Sequence, residues 1–315
     1  MFRLCLAAAI ALAAVAAPAE SKDTLPTIDS AWNYNDPVQS EANFRDLLAS
    51  AQRVENAAYA AEVRTQLARS LGLQGRFDEA NTILDDIHKK LAPDMKVAAI
   101  RWQLEKGRVV NSSGHPADSI GFFKKALALA QAVHAENLAI DAAHMLGIVS
   151  PADAAIAWNR RAIRMAESAT DPRARNWLGP LYNNLGWTYV DKHEYEKALA
   201  LFTKDVAFRK SSGRPFEAGI ALWSRAKTLR LMGRVKEALA IQIRLANDPL
   251  RNGKPADGYT HEEIGECLLS LGKPDEAAPH FAIAYRRLGT DAWLRDHEPE
   301  RLARLRRLAQ PQDDR

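Results

Sequence analysis

LYNNLGWTYVDKHEYEKALALF, residues 181–202, holds the pattern on which the fold is read. Gly186 sits between bulky apolar residues, Leu185 before it and Tyr189 one turn on. A short polar break follows, and a second apolar stripe then runs through Tyr195, Ala198 and Phe202. Spacings of three and four residues on both sides of the break predict two amphipathic helices joined by a tight turn. Small residues at Gly186 and Ala198 let two antiparallel helices approach closely while large neighbours fill the flanking grooves.

The same arrangement returns along the chain. RTQLARSLGLQGRFDEANTIL (64–84), LWSRAKTLRLMGRVKEALAIQ (222–242) and THEEIGECLLSLGKPDEAAPHF (260–281) align with it. The small residues of the first helices are Ala68, Gly107, Gly147, Gly186, Ala226 and Gly265, spaced 39, 40, 39, 40 and 39 residues apart. Those opening the second helices are Ala80, Ser119, Ala155, Ala198, Ala238 and Ala277. Gly75, Gly114, Gly233 and Gly272 fall where a first helix must stop, and Pro116 and Pro274 fall where a second must start. In the third copy the turn is four residues short, with Ser150-Pro151 read as cap and first-turn proline; the stretch before the next copy restores the register.

On these residues the chain resembles the tetratricopeptide repeat family, over residues 61–290. The period is longer than the family's usual 34, and Lys106, Arg225 and Asp205 depart from its pattern. The resemblance implies an all-α, right-handed superhelical solenoid of antiparallel helix pairs, about six repeats with a capping helix at each end. The expected layout is an address at 1–19, an extended lead-in and capping helix at 20–60, the array at 61–290, and an Arg-rich cap and tail at 291–315. Phe44, Leu47 and Leu48 mark the buried side of the first cap. In the last, Leu302, Leu305 and Leu308 are expected inward, with Arg301, Arg304, Arg306 and Arg307 outward.

The chain has 315 residues, 47% hydrophobic and 26% charged, with a formal charge of +4. These are globular values and exclude disordered or collagen-like sequence. The excess of bases is too small to indicate nucleic acid. Residues 1–19, MFRLCLAAAIALAAVAAPA, carry one charge, then an apolar run, then Ala17-Pro18-Ala19. This is the layout of a secretory signal peptide cut after Ala19. About 14 apolar residues reach ~21 Å as a helix against a ~30 Å hydrocarbon core, which disfavours the alternative of a retained anchor. Cleavage would leave 42 basic against 39 acidic residues, a charge of +3, and Cys267 as the sole cysteine. The expected location is therefore outside the cytoplasm, periplasmic or secreted.

Catalytic motifs are missing from the sequence. HEEIGEC (261–267) starts like a zinc-peptidase helix, but residue 265, where the second histidine belongs, is glycine. The eight histidines show no ligand spacing, so no metal, cofactor or enzymatic activity is expected. Function is then assigned to a surface. In the resembled family the first helices line a groove for peptides or partner helices. Flanking the small residues, the groove positions are Thr65 and Arg69, Leu104 and Arg108, His144 and Ile148, Asn183 and Trp187, Trp223 and Lys227, and Glu262 and Glu266. Arg offers forked donors, Asn pairs with peptide backbone, and Trp offers contact area at low entropic cost. Two readings stand for the Trp and Arg positions: they bind a ligand, or Trp187 and Trp223 pack between repeats while Arg69 and Arg108 pair with acids on their own helices, such as Glu62 and Glu105. The sequence supports a protein- or peptide-binding scaffold, an adaptor in envelope assembly or secretion. Alternatives are a membrane-surface or RNA binder using the terminal arginines, or an accessory subunit of an envelope enzyme.

Overall fold

The computed structural model describes residues 25–53, 55–250 and 255–310. The expected address at 1–19 and the tail beyond 310 lie outside them. Among the described residues the regular structure is entirely helical, and no helix is long and apolar enough to cross a membrane. The chain divides into two compact units, one ending at Trp177 and the other beginning at Leu178.

The first unit opens with a 3-10 turn, Ile28–Ala31, followed by α1 (Pro37–Arg53). Three helix pairs follow: α2 (Ala57–Leu73) with α3 (Phe77–Lys90), α4 (Lys96–Ser112) with α5 (Pro116–Ala132), and α6 (Glu136–Val149) with α7 (Ala152–Ser168). A short α8 (Pro172–Arg175) closes the unit. The second unit contains α9 (Leu178–Asp191) with α10 (Tyr195–Ser211), α11 (Pro215–Leu231) with α12 (Val235–Ala246), and α13 (Pro255–Ser270) with α14 (Pro274–Leu288). It ends in α15 (Ala292–His297) and α16 (Pro299–Leu308), which packs on α14.

Within a pair, the small residue of the first helix meets one large residue of the second. A Cβ added at Gly107 would lie 2.7 Å from the Phe123 ring, at Gly186 2.6 Å from Phe202, and at Gly265 2.7 Å from Phe281. All three rings are fully buried. In the short third copy the residue facing Gly147 is Asn159, again at 2.7 Å, and its amide donates to the Ala155 carbonyl at 2.9 Å. The turns behave as their residues require. Gly75, Gly114, Gly233 and Gly272 are left-handed, with φ of 73° to 96°, and His193 takes the corresponding place in the fourth copy at φ 58°. Pro116 and Pro274 stand in the first turns of α5 and α14.

The structure departs from expectation at three places. Ser150 does not cap α7: that helix begins at Ala152 after Pro151, and no side chain caps it. The lead-in is not simply extended, because residues 28–31 form a turn that buries Ile28 and Ala31 against Phe44, Val63 and Leu67. The third departure is the set of C-terminal arginines. Leu302 and Leu305 are buried as expected, but Arg301 and the half-exposed Arg304 turn toward α13, while Arg306 and Arg307 are exposed. Positions 301 and 304 are three apart, so they share the side of α16 facing Glu262 and Glu266, themselves one turn apart on α13.

Lys106 and Asp205, charged residues at repeat-core positions, find partners close by. Lys106 reaches Asn81 (2.8 Å) and Asp85 (2.9 Å) on α3. Asp205, 1% exposed, accepts from Arg209 Nε at 2.6 Å, and burial outweighs that arginine to push its carboxyl up to about 6.

Candidate functional site

In the first unit the predicted positions fall on α2, α4 and α6 and join into a row of charges. Arg69 on α2 lies 3.9 Å from Glu105 on α4. Glu105 also accepts from Gln66 Nε2 at 3.2 Å and from Arg108 Nη1 at 2.7 Å. Arg108 in turn pairs with Asp141 on α6. One turn beyond, the His144 ring sits 5.3 Å from that of Trp177. Thr65 and Leu104, by contrast, are wholly buried and belong to the packing.

The electrostatics follow from burial. Glu105 is 2% exposed, a position tolerable for a carboxylate only with cations beside it. Burial pushes the Asp141 carboxyl up, but Arg108 and Arg69 prevail and hold it below the usual range. The Arg108 guanidinium is likewise raised, because Asp141 and Glu105 overcome its desolvation. Burial lowers His144 to about 4 against a weaker pull from Asp141, so the ring is neutral near pH 7. Three polar atoms in this row are buried without a hydrogen-bond partner: Arg69 Nε, Glu105 Oε2 and His144 Nδ1.

His144 gives a pH signature. Its folded value lies below the unfolded 6.5, so between these values the unfolded chain binds more protons. Its stabilising contribution is complete above about pH 6.5 and is lost as pH falls through about 4. The full swing is about 3 kcal/mol. His144→Phe is expected to flatten this part of the stability curve. Urea unfolding across pH 4–7 reads it, and an unchanged slope in the variant would reject the assignment.

A further strip of chain lies over α2. The Trp32 indole donates to Gln66 Oε1 at 3.3 Å and meets the Phe44 ring edge-on at 4.8 Å. Tyr34 stacks parallel to Trp32 at 4.8 Å, and the Arg69 guanidinium covers both rings at 5.3 and 5.7 Å. Asp29 lies 3.8 Å from Arg101 on α4 and 3.6 Å from Arg173 on α8. Tyr59 Oη donates to the Pro26 carbonyl at 2.7 Å.

The second unit carries an aromatic row. Trp187 on α9 packs 5.4 Å from Phe202 and 6.0 Å from Trp223 on α11. Trp223 is buried and donates to the Tyr259 carbonyl on α13 at 3.1 Å. Lys227 lies 5.2 Å over the Trp223 ring and 3.1 Å from buried Glu263, which Arg230 also holds at 2.8 Å. Glu262 and Glu266 are engaged by Arg301 and Arg304 of α16. Asn183 is half-buried, its amide 3.4 Å from the Asn184 side-chain oxygen.

Most of the predicted residues thus have intramolecular partners. Sequence reasoning missed the partners themselves: Glu105 as a buried hub, Asp141, Glu263, and the pair Trp32 and Tyr34. An acid three residues before Arg108 and before His144 was the available signal for Glu105 and Asp141. Among the described residues no three His, Cys, Asp or Glu side chains converge as a metal site. His261 and His280 do meet, Nδ1 to Nδ1 at 2.9 Å, with Asp257 3.4 Å behind His261.

The tetratricopeptide repeat family model matches residues 181–212, which span α9 and α10 and the Gly186–Phe202 contact. That segment of the chain is thus a tetratricopeptide repeat. No curated protein sequence matches the chain significantly. Its fold is similar to the apo form of RapI, at 13% identity and a TM-score of 0.70 over 90% of this chain and 82% of the other. The apo form of the quorum sensor NprR from B. thuringiensis is similar at 16% identity and a TM-score of 0.59, over 89% of this chain and 78% of that one. A signal-transduction ATPase with a tetratricopeptide repeat sensor from Pyrococcus horikoshii matches at 13% identity and a TM-score of 0.62. There 86% of this chain is covered but only 44% of the other, so the chain spans less than half of that protein's length.

Proposed function

We propose that this tetratricopeptide-repeat chain is a non-catalytic scaffold that takes a protein or peptide on its first-helix faces. The observation that carries the reading is the row Arg69–Glu105–Arg108–Asp141–His144, buried yet left with three polar atoms unpaired. Such atoms cost free energy where they stand, and Arg69, at 24% the most exposed of the four charged side chains, offers its guanidinium to a ligand's acceptors. The likeness to a quorum sensor and to a repeat sensor is consistent with a chain that receives ligands. Cys267 fits poorly as a nucleophile: it is fully buried, and desolvation, helped by Glu263, pushes its thiol up to about 12. The membrane-surface or RNA reading draws less support, because Arg301 and Arg304 are committed to acids of α13. The leader-like residues 1–19 support a place outside the cytoplasm, in an adaptor role in envelope assembly or secretion.

Photo-crosslinking in the native cell tests this. A benzophenone side chain at Ile148 on α6 or Asn183 on α9 is expected to capture one defined set of proteins. The same group at Leu129, exposed on the second helix α5, is expected to capture none of them. The chain recovered in these complexes should itself begin at Glu20, the residue after the expected cleavage. Equal capture from Leu129 would overturn the assignment to the first-helix faces.

A further inference from the structure

The strip of chain over α2 and α4 is held by three kinds of contact. Ile28 and Ala31 enter the apolar cluster of Phe44, Val63 and Leu67. Trp32 and Tyr34 form a stack roofed by Arg69. Asp29 sits between two arginines, Arg101 and Arg173, from different helices. The strip makes no helix pair of its own. It therefore contributes to the first unit as a bound peptide would, with apolar anchors, an aromatic pair under a cation, and a carboxylate between guanidiniums.

It is also an imperfect occupant. Tyr34 remains 53% exposed and the Asp29 side chain 49% exposed. With the strip in place, Arg69 Nε and Glu105 Oε2 still lack partners. A segment of the same character that supplied a further carboxylate to Arg69 would bind better, and only such a difference can move the strip aside.

The geometry points to a docking surface on α2, α4 and α8 for an extended acidic–aromatic peptide of the pattern Asp-x-x-Trp-x-Tyr, held by the chain's own residues 29–34 until a partner displaces them. This deepens the peptide-binding reading above and rests on it. It fixes the class of partner: an extended segment with an acidic residue three before a Trp and five before a Tyr, and a further carboxylate placed to meet Arg69. Neutral, basic or purely aliphatic segments lack the carboxylate and the ring faces that the guanidiniums of Arg69, Arg101 and Arg173 engage.

The probe is a fluorescein-labelled synthetic peptide LPTIDSAWNYND, residues 25–36, with a control carrying Ala for Asp29, Trp32 and Tyr34. Fluorescence anisotropy measures its binding to the purified protein and to the variant Trp32→Ala with Tyr34→Ala. The vacated variant is expected to bind the probe at least tenfold tighter than the unaltered protein. Adding Arg69→Ala to it is expected to cost tenfold or more, and the control peptide should not bind. Circular dichroism checks that the variants fold. If the double variant does not fold, Asp29→Ala, a change at a half-exposed residue, loosens one end of the strip and should still raise affinity threefold or more. Equal affinity for vacated and unaltered protein, or equal binding of probe and control, would overturn the proposal. If that happens while Ile148 still captures a partner in cells, the strip inference alone falls. If capture fails as well, the binding reading falls with it.

Discussion

Phe202→Ala is expected to destabilise the second unit by about 3–5 kcal/mol, the usual cost of emptying an aromatic site in a packed core. Gly186→Ala at the facing position is expected to cost about 1–3 kcal/mol, through overpacking. The reason is a single contact: a Cβ at Gly186 would lie 2.6 Å from the ring edge of a fully buried Phe202. Neither the helix backbone nor the ring has room to give. The double variant should then lose less than the two singles together, because removing the ring makes space for the added methyl. Urea unfolding followed by far-UV circular dichroism measures all three. Strict additivity would show that the two residues do not contact each other. The same expectation holds for Gly107 with Phe123 and Gly265 with Phe281, at nearly the same distance. The first copy is different, because Ala68 already carries its methyl group and the residue sixteen positions on, in the same core cluster, is Leu84.

These contacts explain why so much of the fold could be read from the chain. The glycine and its ring lie 16 residues apart in one helix pair, and the pattern repeats every 39 or 40 residues, so each copy corroborates the others. The shortened third copy was also visible, because four residues lost from a turn shift a whole stripe. The site was less legible. Glu105, Asp141 and Glu263 have the sequence context of ordinary surface acids, yet each is buried by a neighbouring repeat. Their cations come from 33 to 36 residues away as well as from one turn away: Arg108 for Asp141, Arg69 for Glu105, Arg230 for Glu263. Helical spacing suggested Glu62 for Arg69, whereas the guanidinium turns to Glu105 and to the rings of Trp32 and Tyr34. Those rings precede the first repeat, so no column of aligned residues marks them. Periodicity reveals what recurs, and the strip that lies across the face occurs once.

Arg108→Leu is the second large effect. It should cost about 3–5 kcal/mol, because it strands Glu105 and Asp141, both buried, with their closest cation gone. The loss comes from the orphaned acids more than from the missing attraction. Neutralising them in the same chain, with Glu105→Gln and Asp141→Asn, should therefore recover most of it. The pH dependence has a definite sign. In the unaltered protein the Asp141 carboxyl is held below its ordinary 3.8, so its contribution is present above that value and lost as pH falls through the folded one. The gap between Arg108→Leu and the unaltered protein should accordingly be widest near neutrality and should narrow toward pH 3. A urea midpoint unaffected by Arg108→Leu at pH 7 would remove the buried charge row as a structural element. If the midpoint falls as expected, loss of partner capture on changing Arg108 would say little about recognition, since the unit itself is weakened. Arg69 is the better probe of the face: it is the less buried of the two, 3.9 Å from Glu105, with its Nε still unpaired. Arg69→Ala should thus leave stability nearly intact while removing the group that roofs the aromatic pair and is placed to meet a partner's carboxylate.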